Sequence, residues 1–258
     1  MENNLDIFIG THKSFTPPVK NEAYKIIVGN HDIDIKTNLE IIKCGNKEDI
    51  VDDMFFSEIY MLKKLVDMDY PFKDYVGFCH YRKYFEFMDD IPNVEEVLSE
   101  YDCIVAKPIK SKVNMLRHYA INHNIEDIAI VAKIIDKKYQ EYSKPFISFL
   151  RGNMLIPYNM FIMKRDDFKE YVGFVYGVLN DYVNVVGKNI FKRIVDNKDK
   201  YIKKFYPNST IEYQYRIGGY LAERLTNVFM IKKYNKIKTY PAIITESKYV
   251  KKKKEQDS

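Results

Sequence analysis

Short apolar runs alternate with helix-period segments through the first half of the chain, and that rhythm leaves few architectures open. Leu5 to Gly10 (L-D-I-F-I-G) and Tyr24 to Val28 (Y-K-I-I-V) are apolar enough for buried strands. A polar loop from Thr11 to Pro18, closed by two prolines, separates them. From Asp52 to Asp67 the residues Phe55, Phe56, Ile59, Leu62 and Leu65 repeat at helical spacing, with Asp52 and Asp53 placed to cap the helix. Tyr75 to Cys79 predicts a third strand, which ends in the polar burst His80-Tyr81-Arg82-Lys83. Asp102 to Ala106 predicts another, after a short helix from about Asn93 to Glu100. This order predicts an α/β fold, a mixed but mainly parallel sheet flanked on both faces by helices.

The middle of the chain predicts helices over Ser111 to Ile121, over Ile125 to Tyr139 with Asn124 as cap, and over Gln140 to Arg151 with a bend at Pro145. Tyr158 to Met163 (Y-N-M-F-I-M) predicts a strand, and Arg165-Asp166-Asp167 opens a helix to about Val186. Ile217 to Ile231 predicts the last helix, and Ile237 to Ile244 a final strand broken by Pro241, hence at an edge. With no internal repeat and no low-complexity linker, the expectation is one domain over residues 1–247, carrying a helical insertion at about 111–151. Residues 248–258 are expected to form a basic, disordered tail.

Composition narrows the function classes. At 46% hydrophobic and 30% charged residues, the 258-residue chain is too apolar to be disordered. No run approaches the ~18 apolar residues that a membrane span needs. The acidic start, Met1 to Asp6, predicts no secretory leader, and the scattered Cys44, Cys79 and Cys103 predict buried thiols in a reducing cytoplasm. Of the net charge of +5, the tail from Lys248 to Ser258 contributes +3, leaving the body at +2. So neutral a body lacks the basic surface of a nucleic-acid binder. The lysine run is a solvated tail or a peripheral contact with anionic lipid at the inner face of the cell membrane. The 22 tyrosines, without a single tryptophan, match the bias of AT-rich coding and are not by themselves a stacking surface.

Ligands of open α/β sheets sit at the carboxyl ends of the strands. Two polar bursts hold such positions: Thr11-His12-Lys13 after the first strand and His80-Tyr81-Arg82-Lys83 after the third. Either alone is as easily an ordinary loop start; together they place two histidines and three cations on one rim, chemistry suited to a diphosphate. No glycine-rich dinucleotide motif and no P-loop is present. Asp32-Ile33-Asp34 and Asp67-Met68-Asp69 have the D-x-D spacing that chelates Mg or Mn, a spacing common in acidic loops. The second pair lies before the third strand, at the wrong end of the sheet. His118 and His123 are five apart and do not stack as a metal pair, so His123 is a substrate contact or a helix-end residue. Glu223 and Arg224 flank the core stripe Ile217, Leu221, Leu225 and Val228; a pair so placed is ordinarily structural. The preceding Gly218-Gly219 admits the close approach of a backbone or ligand.

Six segments in this order carry a family resemblance. They are Thr11-His12-Lys13, Glu58 in the first helix, Gly77 to Phe85 (G-F-C-H-Y-R-K-Y-F), His123 to Asp127, Pro157 to Met163, and Gly219 to Leu225 (G-Y-L-A-E-R-L). The chain resembles a bacterial family, first defined as a domain of unknown function, that occurs among capsular and exopolysaccharide glycosyltransferases. Before Glu58, relatives usually carry an N-Y-x-E-like sequence where this chain has Phe55-Phe56-Ser57.

The resemblance implies a GT-A-like fold with a Rossmann-type sheet, and a hexosyltransferase using a UDP-sugar of hexose or galactofuranose type. The acceptor would be a lipid-linked or growing surface glycan. Thr11, His12 and Lys13 would line the nucleotide, and His80, Tyr81 and Arg82 the diphosphate, in the place where such folds carry a metal-binding D-x-D. No metal is then expected, unless Asp32 and Asp34 or Asp67 and Asp69 hold Mn or Mg. His123, Tyr158, Asn159 and Arg224 would meet the sugar or acceptor. Glu223 is the candidate base of an inverting transfer and Glu58 its rival. The competing expectation is a non-catalytic nucleotide-sugar-binding or scaffold subunit of a polysaccharide assembly complex.

Overall fold

The computed structural model describes residues 4–45, 54–187, 189–202 and 210–245. The predicted caps Asp52 and Asp53 and the basic tail lie outside the described residues. A nine-stranded sheet forms the centre. Strand β1 (Leu5–Thr11) pairs in parallel with β2 (Tyr24–Val28) on one side and with β4 (Tyr75–His80) on the other, and β2 pairs in parallel with β3 (Ile41–Lys43). Beyond β4 the sheet continues through β9 (Phe161–Lys164), antiparallel to both neighbours, to β6 (Cys103–Ala106) and the edge strand β10 (Ile237–Tyr240). A tight turn at Tyr81-Arg82 joins β4 to β5 (Lys83–Phe85), which also pairs with β11 (Ala242–Ile244). Pro241 stands between β10 and β11, where no ladder N–H is needed.

Period-two alternation along β1 feeds two cores. Leu5, Ile7 and Ile9 enter one, with Tyr24, Tyr84, Phe85 and the short helix α2 (Val94–Glu100). Phe8 enters the other, beneath α1 (Glu58–Asp67), α6 (Arg165–Val186) and α10 (Ile217–Lys233). Fully buried aromatics such as Phe8, Phe78 and Phe161 dominate this second core, each worth roughly 2–3 kcal/mol. The helices are therefore mostly on one face, and loops with α2 cover the other.

Between β7 (Ile109–Lys110) and its antiparallel partner β8 (Met154–Leu155) lie α3 (Met115–Asn122), α4 (Ile125–Lys138), a 3₁₀ turn at Gln140–Tyr142, and α5 (Ser143–Arg151). Asn114 and Asn124 cap α3 and α4, accepting from the N–H groups of Arg117 and Glu126. Helix α3 starts later than the predicted Ser111 because residues 109–110 are strand and Asn114 provides the cap. Pro145 does not bend its helix: it sits in the first turn of α5, where N–H groups have no intrahelical partner, and the break falls in the 3₁₀ turn before it. Helices α7 (Ile190–Asp196), α8 (Lys198–Tyr201) and α9 (Ile211–Gln214) complete the described fold. No described helix is long and apolar enough to cross a membrane. All three cysteines are buried, and burial raises the Cys79 and Cys103 thiols far above their usual range.

Two sequence expectations fail at backbone level. Helical turns at 54–56 and α1 are separated at Ser57, which has φ 56° and no capping hydrogen bond. The predicted strand from Tyr158 starts only at Phe161, because Tyr158 (φ 71°) and Asn159 (φ 52°) occupy the left-handed region. Both breaks face the same place.

Candidate active site

The parallel register brings Thr11, Val28 and His80 to one edge of the sheet. Thr11 is buried; its hydroxyl donates to the carbonyl of Lys13 at 2.8 Å and accepts from that residue's N–H at 3.1 Å. It therefore shapes the loop that presents His12 and Lys13. The Tyr81 and His12 rings meet edge to face with their centres 5.4 Å apart, and the His31 ring centre lies 6.1 Å from that of His12. His12 is exposed, yet desolvation, then the charges of Arg216, Lys13, His31 and Arg82, hold its pKa down to about 4. The imidazole is neutral at pH 7.

The Tyr81-Arg82 turn sets Tyr81 inward, against His12 and Phe15, and Arg82 outward with its guanidinium 4.9 Å from the Tyr81 ring centre. His80 is recessed below this turn. Its Nε2 lies 2.5 Å from the Tyr158 carbonyl, to which it donates, and burial lowers its pKa against the opposing pull of Glu58. His80, expected at the diphosphate, thus has that nitrogen on the Tyr158 carbonyl.

Below the Tyr158-Asn159 turn runs a buried polar chain. Asn159 Nδ2 donates to Glu58 Oε1 at 2.5 Å, while Asn159 Oδ1 accepts from Thr226 Oγ1 at 2.8 Å, which in turn meets the Tyr171 hydroxyl at 2.9 Å. Burial would raise the Glu58 pKa; neighbouring His80 and hydrogen bonds from Ser57, its own backbone and Asn159 outweigh it, and the carboxyl is held below its usual range. Asn159, expected at the sugar or acceptor, is only 2% exposed with both amide atoms used. Glu58 is likewise buried, with one carboxylate oxygen bonded to Asn159 and the other to Ser57.

Glu223, on the second turn of α10, accepts the Tyr158 N–H at 2.9 Å on Oε1 and Arg224 Nη1 at 2.8 Å on Oε2. Its side chain keeps 22% exposure, and it acts electrostatically on Lys83. Arg224 is buried with its guanidinium 5.3 Å from the Tyr119 ring centre, and its Nη2 meets His118 Nδ1 at 3.2 Å. Arginine is always a donor, so His118 Nδ1 accepts and its proton sits on Nε2; burial, then Arg224, lower the His118 pKa. Arg224 thus holds Glu223 from behind. His123, expected at the acceptor, ends α3 as a buried ring stacked 4.2 Å from Tyr220, with Nδ1 3.2 Å from Gln214 Oε1.

Two more cations complete the rim: Lys83, the last member of the second polar burst, and Arg216, to which the sequence assigned no such place. Lys83 Nζ stands 3.9 Å from the centre of the Tyr158 ring, its pKa lowered by burial against the opposing pull of Glu223 and Glu58. Arg216, exposed at the start of α10, acts electrostatically on His12, His80 and Lys83. What brings it there is Gly218: a Cβ at that position would lie 2.2 Å from the Phe55 carbonyl oxygen. The double glycine accommodates a backbone, the broken helix before Glu58. Its presence just after an arginine was the available signal.

The two D-x-D pairs lie at opposite ends of the sheet. Asp67 ends α1 in an ion pair with Lys63, and with Asp69 it precedes β4, opposite the rim. Asp32 and Asp34 follow β2 on the rim side but are exposed, and no three His, Cys, Asp or Glu among the described residues converge to hold an ion.

Comparison with known proteins agrees with this architecture. No curated protein matches the chain. Among solved structures it is similar to the apo structure of WbbM, a bifunctional glycosyltransferase, with a TM-score of 0.68 at 18% identity over 94% of this chain. The chain spans 45% of the length of that protein, and the likeness is one of fold. The model of a domain of unknown function, DUF4422, matches residues 6–234 and so takes in all six segments of the sequence resemblance; the chain belongs to that family.

Proposed function

We propose that the chain is a glycosyltransferase that moves a sugar from a UDP-sugar to a lipid-linked or growing capsular or exopolysaccharide glycan. The observation that carries this reading is the convergence of Lys13, Arg82, Lys83 and Arg216 around His12 and His80, at the carboxyl ends of β1 and β4. Four cations beside a neutral imidazole suit a diphosphate, and one anchored, partly exposed carboxylate, Glu223, faces the same space. The likeness to the WbbM fold supports the reading.

In this mechanism the acceptor oxygen bonds to the anomeric carbon as the bond from that carbon to the β-phosphate oxygen breaks. Glu223 takes the acceptor proton, and the electron pair leaves on UDP. Lys13, Arg82, Lys83 and Arg216 stabilise the charge that grows there, a contribution whose loss costs about 10²-fold per donor in comparable sites. Arg224 and the Tyr158 N–H orient Glu223, and one carboxylate acting on the acceptor gives inversion at the anomeric carbon. Calorimetry with UDP, followed by an assay of sugar release or transfer over a panel of nucleotide-sugars, tests the reading. Binding with turnover supports it; binding without turnover moves the chain to a non-catalytic nucleotide-sugar-binding subunit; absence of both refutes it.

A further inference from the structure

We propose that the outer surface of α3, α5 and the β7–β8 ribbon docks on an anionic lipid bilayer. From residue 103 to 125 and again from 142 to 165 the sequence contains no aspartate or glutamate. The fold lays these two stretches together: β7 pairs with β8, the Ser111 N–H donates to Asn153 O, and the Met115 N–H to Gly152 O, both at 2.8 Å. Lys110, Lys112, Arg117, Lys144 and Arg151 are all exposed on them.

Apolar side chains share this surface. On α5, Lys144, Ile147, Ser148 and Arg151 recur at helical spacing and are all exposed, while Phe146 and Phe149 are buried behind them. On α3, Leu116 and Arg117 are exposed opposite the buried Met115 and Tyr119. Leu116, Ile147 and Met154 stand 40%, 49% and 47% exposed. Cations around exposed aliphatic side chains, with no carboxylate between them, complement a surface of anionic headgroups over an apolar interior.

The surface also runs into the site. His118 on α3 touches Arg224, and β8 leads within three residues to Tyr158. Docking would hold the open side of Glu223 toward lipid-borne acceptors; that consequence rests on the glycosyl-transfer reading, whereas the docking itself does not.

The test uses the full chain with Lys251 to Lys254 changed to Gln, which removes the tail's own attraction. Co-sedimentation compares vesicles of phosphatidylcholine alone with vesicles that also contain phosphatidylglycerol, at low and high salt. Binding only to the anionic vesicles, weakened by salt, is expected. The added substitutions Lys110→Glu, Arg117→Glu and Arg151→Glu should lower partitioning roughly tenfold or more, with circular dichroism confirming the fold. Leu116→Ser with Ile147→Ser should lower it at fixed charge. No pelleting once the tail is neutralised, equal pelleting with neutral vesicles, or unchanged partitioning of the charge-reversed protein each overturns the proposal. The vesicles carry neither donor nor acceptor, so failure of the glycosyl-transfer reading leaves this result untouched.

Discussion

Glu223 Oε1 accepts the backbone N–H of Tyr158 at 2.9 Å, joining the second turn of α10 to a left-handed turn 65 residues earlier in the chain. Through it, the carboxylate nearest the rim is held by backbone on one oxygen and by Arg224 on the other. In the proposed role of base, a carboxylate so fixed would lose little freedom when an acceptor arrives.

Glu223→Gln should therefore lower sugar transfer at least about 100-fold, while UDP affinity changes less than about threefold, since no phosphate contact is removed. Gln supplies one carbonyl oxygen for two donors, so a stability loss of roughly 1–2 kcal/mol should accompany it. Calorimetry, transfer assays and denaturant titration of the same preparation separate the three effects. Retained turnover would refute the base role.

Asn159→Gly isolates what the buried amide does. Glycine keeps the left-handed backbone at φ 52°, so the substitution spares the turn and leaves Glu58 without its Nδ2 donor. An ionised buried carboxylate deprived of a hydrogen bond costs about 2–3 kcal/mol. Urea denaturation should show that loss, whereas Asn159→Ala should lose more because alanine resists a positive φ. Equal stability of all three proteins would remove Asn159 from the support of Glu58.

The contrast between those two residues and their neighbours shows what local pattern can carry. Strands β1 and β2, the Asn124 cap and the start of α6 at Arg165 were legible because propensity, period and capping chemistry act over a few residues. Tyr158-Asn159 was not: Y-N-M-F-I-M has a strand's composition, and the turn is held by His80 and Glu223, which lie 78 and 65 residues away. The polar bursts were legible as a rim, but not which of their members face it. Thr11 and His80 are turned to internal hydrogen bonds by contacts no spacing encodes, while Lys83 and Arg216 reach the rim through a hairpin turn and a helix packed on Phe55.

His12 makes the site responsive to pH. Its folded pKa of about 4 lies below the usual 6.5, so the folded state disfavours the proton that the unfolded chain accepts. The stability this contributes is complete above pH 6.5 and is lost as pH falls toward 4. A bound diphosphate would offset the charges of Arg216, Lys13 and Arg82 and raise that pKa. UDP binding near pH 5 should then take up protons, seen as a dependence of calorimetric heat on buffer ionisation enthalpy. His12→Gln should abolish the uptake; uptake unchanged in that variant assigns it elsewhere.

Gly218→Ala tests the contact that seats α10. The added Cβ would meet the Phe55 carbonyl at 2.2 Å, whereas at Gly219 the nearest atom is Ser57 Cβ at 3.2 Å. Backbone cannot yield as a side-chain end can, so Gly218→Ala should cost about 1–3 kcal/mol or more. Gly219→Ala should be milder, since helical Gly to Ala gains up to about 1 kcal/mol in propensity. Chemical denaturation of the pair checks the order, and a reversed order would show that α10 is seated by other contacts.

Arg216→Ala joins the electrostatic and functional readings in one protein. Arg216 is the leading charge acting on His12 after burial itself, and it is exposed, so its removal should leave the fold intact. The His12 pKa should rise, measurable by NMR titration of the imidazole protons. UDP affinity should fall roughly tenfold at low salt, and the difference should shrink as salt rises, because exposed charges are screened over about 10 Å at 0.1 M. Lys83→Ala, at a cation more enclosed beside Tyr158, should lose affinity with weaker salt dependence. If the His12 pKa rises without any change in UDP affinity, the cations gather around the imidazole for a reason other than a diphosphate.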